Sequence, residues 1–138
     1  MGQNEPLEPT PGEARPTGDV PTPAMQIVRK TIALSTLMEM AESMFGTLVK
    51  AVVDIAQGVM AVGGEMHADE EALLLDEGSP QPSLWGINLY PAQVGTPRFI
   101  EFDSVINIRP RQGNRTRSID DAAVRAAVTS IVDRLVTR

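Results

Sequence analysis

Two apolar runs only three residues apart commit this chain to an antiparallel sheet. Leu48–Ile55 and Val59–Gly63 flank Ala56-Gln57-Gly58, a loop of hairpin length with a glycine available for positive φ. Val49, Ala51, Val53 and Ile55 then share one face of the first run, and that face must meet a core.

The flanking segments supply the rest of the sheet and its cover. Gln26–Ile32 reads as a strand, and Ser35 or Thr36 caps a helix to about Phe45, with Leu37, Met40, Ala41 and Met44 at helical spacing and Gly46 after its end. After Gly63-Gly64 the acids of Asp69–Glu77 suit a helix first turn, with a strand through Ala72–Leu75 as the alternative. Leu84–Tyr90 and Phe99–Arg109 read as two more strands around a loop holding Pro91, Gly95 and Pro97. In the second of them Ile100, Phe102, Ile106 and Ile108 alternate with Glu101, Asp103, Asn107 and Arg109, so one face is apolar and the other polar. Pairing the two strands through their apolar sides sets Asn88 and Tyr90 beside the acids. Ser118 caps a last helix to about Val136, with Val124, Val128, Ile131 and Leu135 as its buried stripe. The order β-α-β-β-α-β-β-α predicts an α+β domain over residues 25–138. Its mostly antiparallel sheet has about five strands, with the helices packed on one face.

Residues 1–24 differ in kind: Pro, Glu, Thr and Gly dominate, too little apolar surface to offset ordering, and the segment is expected to be a disordered tail. The chain has no cysteine, which excludes disulfides and thiolate sites and suits a reducing compartment. No run is long enough to span a membrane and no signal-peptide pattern opens the sequence, so the expected location is cytoplasmic. Aromatics make up 4%, leaving Val, Ile, Leu and Met to form the core.

The net charge of −6 weighs against nucleic acid or anionic lipid as a partner, yet it is unevenly spread. Residues 98–138 hold eight arginines and five acids, while residues 25–97 hold nine acids and three bases. Three groups of residues could carry chemistry. Glu101 and Asp103, two apart on a strand, could share a divalent cation, with Asp54 or Glu65 as further ligands. His67, the only histidine, lies between Glu65 and Asp69 and could act as a general base or metal ligand, or simply bond locally at a helix start. Arg109, Arg111, Arg115 and Arg117, with Asn114, precede the last helix, whose free N–H groups would help them hold an anion. The arginines could equally pair with acids inside the fold or across a homo-oligomer.

The motifs Val52-Val53-Asp54-Ile55, Gly63-Gly64-Glu65-Met66-His67-Ala68-Asp69, Leu84-Trp85-Gly86-Ile87-Asn88, Ile100-Glu101-Phe102-Asp103-Ser104, Ile106-Asn107-Ile108-Arg109-Pro110 and Gly113-Asn114-Arg115 together resemble a family of short prokaryotic proteins. That family is a domain of unknown function, family number 5674, and the likeness covers about residues 25–136. It implies domain limits and no chemistry. The functional expectation is therefore a small domain for a phosphate-containing ligand, or a phosphate-directed enzyme. In it Arg109, Arg111, Asn114, Arg115, Arg117, Asn88 and Tyr90 bind, and His67, Glu101 and Asp103 react. A non-catalytic interaction module and an RNA-processing or toxin-like nuclease are the alternatives.

Overall fold

The computed structural model describes residues 24–138; apart from Ala24, the expected tail lies outside the described residues. The chain forms β1 (Gln26–Val28), β2 (Ile32–Ala33), α1 (Leu34–Ser43), β3 (Val49–Asp54), β4 (Val59–Val62), α2 (His67–Asp76), β5 (Leu84–Leu89), β6 (Ile100–Glu101), α3 (Ala122–Leu135) and β7 (Val136–Thr137). Five strands make an antiparallel sheet in the order β1-β4-β3-β5-β6, and β2 pairs in parallel with β7 apart from it. The protein is thus α+β, and no described helix is long and apolar enough to cross a membrane.

Register assigns the two faces. Val53 lies opposite Trp85 and Met60, and Ala51 opposite Ile87 and Val62. These residues form the main core with Leu37 and Met40 of α1 and Val128, Ile131, Val132 and Leu135 of α3. Each large side chain fully buried here contributes roughly 1.5–3 kcal/mol relative to exposure. The other face carries Val52, Ala61 and Leu84, covered by Leu74 of α2. The expected single helical layer therefore holds for α1 and α3, while α2 covers the opposite side.

Two elements differ more sharply from the sequence reading. The strand expected over Phe99–Arg109 stops at Glu101, and Val105–Asn107 is a single 3-10 turn. The reason is Asn107, whose side-chain amide does the work of a neighbouring peptide. Its Oδ1 accepts from Gly86 N–H at 2.8 Å and its Nδ2 donates to Gly86 O at 2.9 Å. Gly86 admits this crossing because it has no Cβ, which would stand 2.6 Å from Ser104 Cβ. Asn107 and Arg109 are consequently buried, while Val105 and Ile108 point outward.

The last helix starts at Ala122, four residues beyond the Ser118 cap, because Asp121 accepts from Ala123 N–H at 2.8 Å and takes the capping role. At the other end of the domain, the expected strand Gln26–Ile32 breaks after Val28. The helix that follows begins at Leu34 with Ala33 in the cap position and no side-chain cap.

Candidate functional site

Alternation along neighbouring strands sets a polar row across the sheet. Lys50 lies opposite Asn88, and Asn88 opposite Glu101, so β3, β5 and β6 each place one side chain of the row on the face shared with α2. The first residue of α2 reaches into this row. His67 Nε2 lies 2.8 Å from Ile87 O, and since a carbonyl only accepts, Nε2 carries the proton and Nδ1 holds the lone pair. Burial lowers the imidazole pKa below 6.5, partly opposed by the bond to Ile87, so the ring is neutral near physiological pH.

Around the imidazole, hydrogen bonding is incomplete. Asn88 Nδ2 donates to Glu101 Oε1 at 2.9 Å, but Asn88 Oδ1 is buried without a donor. One helical turn along α2 from His67 lies Glu70, fully buried, whose Oε2 accepts from Gly64 N–H at 2.9 Å and whose Oε1 has no partner. Burial pushes its pKa to about 9; Glu70 is a neutral acid at physiological pH. The rim is charged. Tyr90 O–H donates to Glu101 Oε1 at 3.0 Å, and Asp103 Oδ1 accepts from Arg117 Nε at 2.7 Å. Lys50 Nζ rests 5.0 Å from the Phe45 ring centroid and forms no ion pair with a carboxylate among the described residues.

The structure thus brings together His67, Asn88, Tyr90, Glu101, Asp103 and Arg117 from the sequence expectations. The other members of the arginine segment lie elsewhere or are occupied. Arg109 is buried: its guanidinium donates to Leu84 O, and to Ile106 O at 3.0 Å, stands 4.8 Å from the Trp85 ring centroid, and lies 3.8 Å from Glu71. Asn114 Nδ2 donates to Asn107 O, Thr116 O and Ser118 O, and its Oδ1 accepts from Asp120 N–H. These two residues hold the loop together, while Arg111 and Arg115 are exposed.

For a cation, the described residues contain no group of three or more His, Asp or Glu arranged as ligands. Asp54, expected as an additional ligand, instead closes the hairpin: it accepts from Ala56 N–H, Gln57 N–H and Ser79 Oγ. Glu65 lines a separate cleft with Asp69 and Asp76.

A family model matches residues 26–135, described as Protein of unknown function (DUF5674). The chain belongs to that family. The match runs from the first residue of β1 to the last of α3, so every residue of the polar row falls inside it. No curated protein and no solved structure matches the chain.

Sequence reasoning missed Lys50 and Glu70. Lys50 left a trace, as the one basic residue inside an apolar strand, on the alternate face from Val49 and Ala51. Glu70 left a weaker one, three residues after His67 and so on the same helix face. Because His67 is the only histidine, nitrogen-15 NMR can read it without assignment ambiguity. The Nε2-protonated tautomer and a midpoint below 6.5 are expected; an Nδ1-protonated ring would show that the contact with Ile87 does not persist in solution.

Proposed function

We propose that this domain binds a small phosphate-bearing molecule at the polar row and acts on it by proton transfer to His67. The observation that carries the reading is an imidazole held neutral in one tautomer beside the Lys50 ammonium. Lys50 supplies the positive charge for the ligand and draws a ligand hydroxyl or a bound water toward the imidazole. His67 Nδ1 then takes the proton of that water or hydroxyl, a role that needs a base still unprotonated at working pH. Glu101, held by Asn88 and Tyr90, and Asp103, held by Arg117, set the rim. This reading moves the anion from the arginine loop, whose Arg109 and Asn114 are committed to backbone carbonyls, to Lys50.

A thermal-shift screen of inorganic phosphate, nucleotides and sugar phosphates tests it against wild type, Lys50→Ala, His67→Asn and Arg111→Ala/Arg115→Ala. At least one phosphate compound should raise the wild-type melting temperature and that of the arginine variant, but not that of Lys50→Ala. His67→Asn should retain binding and lose turnover. Stabilisation lost only in the arginine variant would return the anion to the loop, and no shift by any compound would remove the phosphate reading.

A further inference from the structure

Away from the polar row, part of the core is left open between the edge strand β6 and the end of α3. Val94, Ile100, Phe102 and Val136 pack against the main core but are only partly buried, and all four line one cleft of about 400 Å³. The Phe102 ring is held in place by the Arg125 guanidinium, 4.6 Å from its centroid, and Arg125 in turn donates to Ile119 O and Ser118 Oγ. Polar side chains complete the lining: Thr129 and Asp133, four residues apart and so on one face of α3, and Arg138. Asp133 and Arg138 carry opposite charges, yet they pair neither with each other nor with any other described residue. Arg138 instead lies over Gly95, where a Cβ would stand 3.4 Å from its Nη1.

We infer that this cleft binds a free α-amino acid with a large apolar side chain. Small-molecule sites ordinarily combine apolar walls with a few convergent polar groups, in a volume of this order. The groups left without partners define the ligand. Asp133 calls for a cationic donor, and Arg138 for an acceptor that fits its planar fork, which a carboxylate does. The α-ammonium and α-carboxylate of one molecule supply both, and Thr129, one turn before Asp133, offers its hydroxyl between them. The apolar side chain then covers Ile100, Phe102 and Val136, surface that water otherwise meets. All six of these side chains are partly or fully exposed, so a molecule in the cleft reaches each of them. A ligand with a single charge leaves the opposite group unserved, and an uncharged one leaves both.

Titration calorimetry of the full chain with L-leucine, L-methionine and L-phenylalanine should give saturable binding of at least one. Analogues lacking the ammonium or the carboxylate, isocaproate and isoamylamine in the case of leucine, should bind about tenfold or more weakly. Asp133→Asn and Arg138→Gln should each weaken the amino acid by a similar factor and leave the melting temperature unchanged, since exposed charges contribute little to folding. Asp133→Asn should also cease to distinguish the amino acid from its deaminated analogue. Lys50→Ala should bind as the wild type does, which separates this cleft from the polar row; loss of binding there would place the ligand at the row and overturn the site. No saturable binding of any of the three, affinity unchanged in both charge variants, or a singly charged analogue binding as tightly as the amino acid overturns it as well.

Discussion

Asn107→Ala should destabilise the domain by about 2–5 kcal/mol. The side chain is fully buried and serves three backbone groups: Gly86 N–H, Gly86 O and Arg117 O. Alanine leaves Gly86 N–H and Gly86 O unpaired in a dry interior, while Arg117 O keeps its bond from Ser104 N–H at 2.9 Å; each buried group without a partner costs roughly 1–3 kcal/mol, and partial relaxation keeps the total below the simple sum. Urea unfolding of the two proteins measures it. Asn107→Asp is a sharper comparison, since it keeps the acceptor for Gly86 N–H but turns a carboxylate toward Gly86 O and Arg117 O. It should be at least as damaging at neutral pH and recover as the acid is protonated. A loss below about 1 kcal/mol for the alanine variant would mean that water takes over the two bonds to Gly86.

Glu70→Gln should stabilise the domain in mildly alkaline solution and flatten its pH dependence. Glu70 has a folded pKa near 9 against 4.5 unfolded. Between those values the folded state holds a proton that the unfolded state has released, so stability falls as pH rises, by up to about 1.4 kcal/mol per pH unit. Below 4.5 both states are protonated and the penalty vanishes; above 9 both are ionised and the slope ends. Glutamine mimics the protonated acid and carries no such slope. His67 acts in the opposite sense, because its lowered pKa makes the unfolded state the better proton binder below 6.5, so stability drops as the solution is acidified. Unfolding free energies of wild type and Glu70→Gln should therefore diverge steadily across the whole range from pH 5 to 9. Parallel curves would place the Glu70 carboxyl in contact with water.

The parts of the fold that could be read from the sequence are those where period and burial agree. α1 and α3 expose polar residues on one side and bury aliphatics on the other, and the hairpin is apolar and buried on both faces, so Val49, Ala51, Val53, Leu37, Met40, Val128 and Ile131 declare their positions. Alternation failed at residues 102–109 because a strand and a segment crossing over a glycine can show the same polar–apolar rhythm. Nothing local distinguishes an asparagine facing water from one standing in for a strand. The arginine loop misled for a related reason. Four guanidiniums near a helix start suggest an anion, but the sequence does not tell which of them will instead bond to carbonyls of its own chain, as Arg109 does with Leu84 and Ile106. The polar row was half visible: Asn88, Glu101, Tyr90 and His67 stood out by type, whereas Lys50 and Glu70 acquire meaning only once β3 and α2 are set side by side.

The parallel clasp of β2 and β7 has a bearing on how the chain is born. Ile32 sits against Val136 and Ala33 against Thr137, a pairing between residues more than a hundred positions apart. The hairpin and α1 can organise early from local contacts, whereas β2 keeps an open edge until Thr137 has been synthesised, and such distant pairing is slow to close. The five-stranded sheet can therefore form before the clasp does, and the pairing of β2 with β7 closes late in folding.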